Sequence, residues 1–302
     1  FEKAYNKLNY FSNLTNKDRF NLAILESLKQ YIYVFKEKKI LNDKKNFGKL
    51  SIISETFQRC FMGDTNTDKY FSKLVYDEES NYTRYIFFYL SYLIENNRTE
   101  DAKRIVGDLN YINTTLLLSQ GKSWIENENS KKLIDVFSCK NPNDVISEFL
   151  FLISNIYSSQ DNFEKSNFYL NLSNYLNPKF EFNLSLVIEN YYLNEEFNKV
   201  RKILTKFNKK DEFYYWYRIK KEAQIIVEEQ GYENAIKFIK VKFGQIENPN
   251  LKMIFDVANF YKNSKNYEKA IEYYSQIITT LDDQSELRAD LFYRRGGSYE
   301  RL

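Results

Sequence analysis

The chain of 302 residues carries 26 Tyr and 25 Phe but only 8 Gly, 3 Pro and no His, with 44 basic residues against 41 acidic ones. Without histidine there is no Ser-His or Cys-His nucleophile system, no histidine general base and no imidazole metal ligand, and a net charge of +3 gives neither a nucleic-acid footprint nor an acidic tail. So few turn formers cannot serve a sandwich, a barrel or a row of βα crossovers, so the composition predicts an all-α chain. Cys60 and Cys139 stand too far apart for a zinc site of their own and suggest no disulfide framework. They read as two buried thiols acting as small hydrophobes.

At the start of the chain, Phe1-Glu2-Lys3-Ala4 has the look of a second helix of a hairpin. Helical apolar spacing then predicts helices over Asn21 to Glu37 and Phe47 to Gly63, with an irregular loop near Asp64 to Asp68. The nearly apolar run Tyr85 to Ile94, bounded by Arg84 and Glu95, falls well short of the ~20 residues a bilayer span needs. It predicts a buried helix, and no transmembrane segment is expected. Thr99-Glu100-Asp101-Ala102 follows, with Leu93 six positions before Thr99 and Val106 four after Ala102, and a second irregular loop is expected near Trp124 to Ser130.

From about residue 147 that spacing becomes regular. An aromatic, two polar residues and a small or short apolar residue recur as Phe163-Glu164-Lys165-Ser166, Phe197-Asn198-Lys199-Val200, Tyr232-Glu233-Asn234-Ala235 and Tyr267-Glu268-Lys269-Ala270. The last members are 34, 35 and 35 residues apart. Six residues before each aromatic stand Tyr157, Tyr191, Ile226 and Tyr261, and four after each small position stand Leu170, Leu204, Ile239 and Tyr274. Short polar turns separate the two sets, so each unit predicts a helix, a tight turn and an antiparallel helix. The small residue lets the two helices approach closely, and Val200 implies a wider crossing in its unit. Asn177-Pro178, Asn208 to Asp211 and Asn248-Pro249-Asn250 mark the breaks between units, and Pro142 in Asn141-Pro142-Asn143 is punctuation of the same kind.

These residues resemble the tetratricopeptide repeat, a 34-residue helix-turn-helix. The segment Ile254 to Ile277 fits best, with Val257-Ala258 at the family's Leu-Gly pair and Tyr261, Tyr267, Ala270 and Tyr274 at the expected offsets. The unit from 147 to 180 is similar through Ile153-Ser154, Tyr157, Phe163, Ser166, Leu176 and Asn177-Pro178. Phe292, Gly296 and Tyr299 fit a further first helix beginning near Leu291, after a stretch around Asp282-Asp283-Gln284 where the period lengthens. Phe292 to Leu302 is also similar to longer bacterial, alphaproteobacterial tetratricopeptide proteins, which implies a periplasmic or a cytoplasmic site. Because Tyr299 to Leu302 fall inside an apparent helix, the chain reads as a piece of something longer.

The resemblance implies an all-α, right-handed superhelical solenoid of antiparallel hairpins. Degenerate hairpins are expected over 1–146 and tetratricopeptide-like units over 147–180, 181–215, 216–250, 251–284 and, in part, 288–302. Such a stack presents a concave surface lined by first helices. Carried over position by position, its lining is Phe151 and Asn155, then Ser185, Glu189 and Tyr192, then Lys220, Gln224, Phe255, Asn259 and Lys262. The Lys and Asn pair with which some members grip a C-terminal carboxylate is incomplete here, because Gln224 stands where Asn would follow Lys220. Amides and aromatics suit backbone hydrogen bonding and apolar pockets instead.

The expected function is therefore a non-catalytic scaffold for a protein or peptide partner, with no cofactor and no metal. A second reading makes the chain the interaction arm of a larger enzyme or of a membrane-associated assembly factor whose catalytic part lies elsewhere. The basic run Arg201 to Lys221, interleaved with Phe213-Tyr214-Tyr215-Trp216-Tyr217, could stack single-stranded nucleic acid. Two helix stripes at a repeat junction give the same string, so nucleic acid is disfavoured as a partner. Glu195-Glu196 and Asp282-Asp283 fall in expected turns and read as hydrated or capping groups rather than acid-base pairs.

Overall fold

The computed structural model describes residues 2–14, 19–41, 45–76, 83–109, 112, 114–207, 209–281 and 286–302. Phe1, Asn208 and Asp282-Asp283-Gln284, which carried expectations above, lie outside them. Among the described residues the regular elements are seventeen α-helices and no strand. The chain divides into two compact units, one of residues 1–108 and 117–196, the other of 109–116 and 197–302.

The first unit contains α1 (Glu2–Leu14), α2 (Arg19–Glu37), α3 (Lys49–Met62), α4 (Thr67–Val75), α5 (Thr83–Glu95), α6 (Thr99–Gly107), α7 (Leu116–Glu126), α8 (Lys131–Val136), α9 (Pro142–Ser158), α10 (Phe163–Leu176) and α11 (Asn183–Leu193). The second contains α12 (Phe197–Leu204), α13 (Glu212–Gln230), α14 (Tyr232–Phe243), α15 (Leu251–Asn263), α16 (Tyr267–Ile278) and α17 (Glu286–Tyr299). The four aromatics of the repeated tetrapeptide are each the first residue of a helix: Phe163, Phe197, Tyr232 and Tyr267. Ser166, Val200, Ala235 and Ala270 are all fully buried, as close helix packing requires. Pro142 opens α9, where its missing N–H costs nothing, and the Asn141 side chain caps the same end.

Four of the turns share one backbone device. Asn97, Asp161, Glu195 and Lys265, each two residues before a helix start, adopt φ of 60, 56, 57 and 62°. The next N–H in each turn donates back to the residue six before the helix start: Arg98 to Leu93, Asn162 to Tyr157, Glu196 to Tyr191 and Asn266 to Tyr261. This six-to-one bond of a left-handed helix cap satisfies carbonyls that the helix end would otherwise orphan. Its presence before Thr99 gives the α5–α6 turn the same local geometry as the turns at Asp161, Glu195 and Lys265, whereas the α13–α14 turn uses Gly231 at φ 83°, whose N–H donates to the Val227 carbonyl. Asn162 and Asn266 then cap the following helices through their side chains.

Three boundaries differ from the sequence reading. The Asp64 to Asp68 loop is a short turn, because Asp64 accepts the Asn66 N–H at 2.7 Å and Thr67 already begins α4. Helix α7 continues through Trp124 to Glu126, leaving only 127–130 as connection. α17 starts at Glu286, five residues before the expected Leu291, and buries Leu287 along with Leu291.

The first unit's core is aromatic. Phe57, Phe71, Phe87, Phe88, Phe137 and Phe180 are fully buried, with Phe88 and Phe137 centroids 4.4 Å apart. Gly121 on α7 is needed for space, because a Cβ there would stand 3.0 Å from the Phe87 ring. Cys60 on α3 and Cys139 after α8 form a disulfide, with Cα atoms 5.8 Å apart. This corrects the expectation of two separate thiols. The 79-residue separation hid a pairing that the Phe57–Phe137 edge contact brings about, since each ring is close in sequence to one of the cysteines.

Helices α9, α10 and α11 are held in register by two buried polar layers. Ser154 donates to the Ser166 carbonyl, while Asn190 donates to Ser166 Oγ and accepts from Ser158. Two turns away along each helix, Ser147 donates to the Ser173 carbonyl and Asn183 donates to Ser173 Oγ. Small hydroxyl residues thus let the helices close together while every buried donor named finds an acceptor. The second unit is packed instead by Trp216, Ile219, Ala223, Ile239, Ile254, Val257, Ala258, Tyr261, Ala270 and Tyr274. Lys252 on α15 ties down the 109–116 segment by donating to the Thr114 and Ile112 carbonyls at 2.8 and 3.2 Å.

Candidate functional site

In the second unit, the candidate lining residues come from α13 and α15. Trp216 and Lys220, one turn apart on α13, both donate to Asp256 Oδ2 of α15, each at 2.9 Å. Lys220 is therefore already matched with a carboxylate of its own chain. Phe255, next to Asp256, lies under the Arg294 guanidinium of α17 at 5.2 Å. One turn on, Asn259 Oδ1 accepts from the Tyr274 hydroxyl of α16 at 2.6 Å, and burial pushes that phenol up to about 12. Lys262 follows, its ammonium pushed down by burial and by the neighbouring Arg294 and Arg301 charges, with Asp290 opposing. Gln224 is exposed on α13.

These contacts bring Lys220, Phe255, Asn259 and Lys262 onto a strip linking α13, α15 and α17. Three members of the strip fall outside the repeat pattern. Asp256, Asp290 and Arg294 are not lining positions in the repeat pattern, yet they set the charge of the strip. Asp256 could have been sought one residue after Phe255, but its partners are distant in sequence.

In the first unit, Asn155 is exposed near the end of α9 and Glu189 and Tyr192 are half-buried on α11. Ser185 donates to the Phe182 carbonyl at 2.7 Å, so its hydroxyl serves the start of α11 rather than a catalytic base. Phe151 is 7% exposed and lies beneath the Arg84 guanidinium of α5, 3.7 Å from its ring centroid. It is packed into the core edge and offers a partner little area. The first set offers an amide, a hydroxyl, a carboxylate and rings, and the second amides, a ring and cations, groups that bind through hydrogen bonds and apolar contact.

The basic, aromatic segment resolves into the two stripes expected of a helix. Phe213, Tyr214 and Trp216 are buried, while Tyr215 and Tyr217 are half-buried. Among the described residues, no group of three or more His, Cys, Asp or Glu could hold a metal ion. Among the described residues no helix is long and apolar enough to cross a membrane.

Compared with known families, residues 251–280 match the tetratricopeptide repeat. They span α15, its left-handed turn and α16. No curated protein matches the chain.

Proposed function

From a chain of tetratricopeptide-type helical repeats, a fold that supports protein-interaction scaffolds in general, we propose a more specific reading. The protein holds a peptide or protein partner along the first-helix face of the second unit, which carries Lys220, Gln224, Phe255, Asn259 and Lys262, and the first unit offers a separate set, Asn155, Glu189 and Tyr192. The repeat register proposed with it divides 147–302 into units near 147–180, 181–215, 216–250, 251–284 and a partial 288–302. The observation that carries the reading is the strip joining α13, α15 and α17 through Lys220–Asp256 and Phe255–Arg294. Ordered amides and rings on adjoining rigid helices cost little conformational entropy on binding.

A photo-crosslinking amino acid at Gln224 tests this, with Val241 on α14 as the off-face control; both side chains are exposed. In native lysate, position 224 is expected to capture one discrete partner that position 241 misses. Equal capture at both positions, or none at 224, would overturn the assignment.

A further inference from the structure

Opposite Lys220 and Gln224 on α13 lies a cleft of different chemistry. Residues 215, 218, 219 and 222 share one side of the helix, about half a turn round from 220 and 224. They meet Phe238 and Lys242 of α14, and Lys209 from the α12–α13 connection, around a cavity of about 500 Å³. Ile219 forms a buried floor, with the half-buried Tyr215 and Phe238 rings beside it. Lys209 stands 5.7 Å from the Tyr215 ring centroid and Lys242 stands 6.0 Å from that of Phe238. Arg218 makes one long hydrogen bond, 3.4 Å, to the Phe207 carbonyl.

The charge of this cleft is unbalanced. Among the described residues no carboxylate lies within ion-pair distance of Lys209, Arg218 or Lys242. The one acid in the lining, Glu222, already accepts from Arg201 Nε at 2.9 Å. Three uncompensated cations around an apolar floor raise the local potential for an anion, and the low-dielectric wall strengthens each contact.

We propose that this cleft binds an acidic peptide segment, with one aromatic or aliphatic side chain seated against Tyr215, Ile219 and Phe238. Carboxylates flanking that side chain are held by Lys209, Arg218 and Lys242. The guanidinium offers a carboxylate two parallel donors, and each lysine supplies a point charge beside an aromatic wall. A nucleic-acid strand fits less well. The volume holds one or two side chains rather than a tracked backbone. The site is on the opposite side of α13 from the proposed partner face and stands or falls separately.

The test uses the 302-residue chain and fluorescein-labelled Gly-Asp-Glu-Phe-Glu-Asp-Gly, read by anisotropy. Its comparison probes are the twin with Asn and Gln for the acids, the twin with Ala for Phe, and a 12-mer oligouridine. The acidic Phe peptide is expected to bind about tenfold more tightly than either twin, as one charge-assisted contact supplies. Arg218→Gln and Lys242→Gln should each remove most of that preference, with helical circular dichroism unchanged. Lys132→Gln, at an exposed position on α8 of the first unit, should leave it intact. Failure of the acidic peptide to outbind its amide twin would overturn the proposal. Preference unaffected by Arg218→Gln and Lys242→Gln, or tighter binding of oligouridine, would overturn it equally.

Discussion

Arg84 and Glu148, 64 positions apart, form a two-pronged ion pair in the first unit: Nε to Oε1 at 2.9 Å and a terminal nitrogen to Oε2 at 2.6 Å. The Glu148 side chain is 2% exposed, and burial pushes its carboxyl up while Arg84 opposes that push. Phe151, Phe180, Phe182 and Phe88 surround the guanidinium with centroids 3.7 to 5.3 Å away. Arg84 also donates to Asn183, so α5, α9 and α11 meet at one cation. Arg84→Met leaves Glu148 buried without a partner and should cost about 3–5 kcal/mol. The double variant Arg84→Met, Glu148→Leu should recover much of that loss, because no charge is then stranded. Urea denaturation of the two variants checks this, and equal loss in both would show that the cation packs rather than pairs.

The disulfide makes a second prediction. Cys60 and Cys139 enclose a loop with a sequence separation of 79. Chain-entropy arguments give about 4–5 kcal/mol for a loop of that length, with native-state relaxation lowering the observed value. Cys60→Ala with Cys139→Ala should lower the denaturation midpoint by a margin that dithiothreitol reproduces in the parent and does not deepen in the variant. Thiol titration of the unfolded, unreduced parent should find no free thiol.

The repeat was legible because its signal is local. An aromatic at the start of a second helix and a small residue three positions later need only the sequence within one hairpin, and Phe163, Ser166, Tyr267 and Ala270 fall where that spacing puts them. Arg84–Glu148 and Cys60–Cys139 were not legible, since each depends on helices brought together by the aromatic core. The candidate lining shows the same divide. Phe255 and Asn259 follow from register, whereas their contacts with Arg294 and the Tyr274 hydroxyl come from neighbouring helices. The cysteines misled because burial was read correctly and pairing was not.

Acid should weaken the fold through Asp64 and Asp68. The Asn66 N–H, with Arg59, holds the Asp64 carboxyl below the usual range. At Asp68 burial pushes upward, but hydrogen bonds from Arg98 at 2.6 Å and Tyr89 at 2.8 Å outweigh it and the carboxyl is lowered. Lowered folded-state values contribute stability that is present above the unfolded value, about 3.9, and lost as pH falls through the folded one. Asp144, raised by burial despite the Ser138 N–H, acts in the opposite sense. Asp68→Asn should therefore flatten the fall in urea midpoint between about pH 5 and pH 3, and Asp144→Asn should steepen it. Parallel profiles for all three proteins would contradict the assignment.

The scarcity of glycine leaves a correctable strain in the turns. Asp161 and Lys265 hold φ of 56 and 62°, a left-handed conformation that side chains resist. Their turns also keep the six-to-one bonds to Tyr157 and Tyr261, so the backbone will hold that shape when the side chain is removed. Asp161→Gly and Lys265→Gly should each stabilise by roughly 0.5–1 kcal/mol, the relief of strain exceeding the added freedom of the unfolded chain. Asp161→Val should destabilise, because a branched Cβ crowds the left-handed region most. Gly231 supplies the converse test. It sits at φ 83° and ψ 169°, a region reserved almost wholly to glycine, so Gly231→Ala should cost about 1–3 kcal/mol although open space surrounds its Cα. Thermal unfolding of the four variants should show two upward and two downward shifts. A downward shift in either turn-to-glycine variant would mean that the Asp161 or Lys265 side chain contributes more than its backbone strain costs.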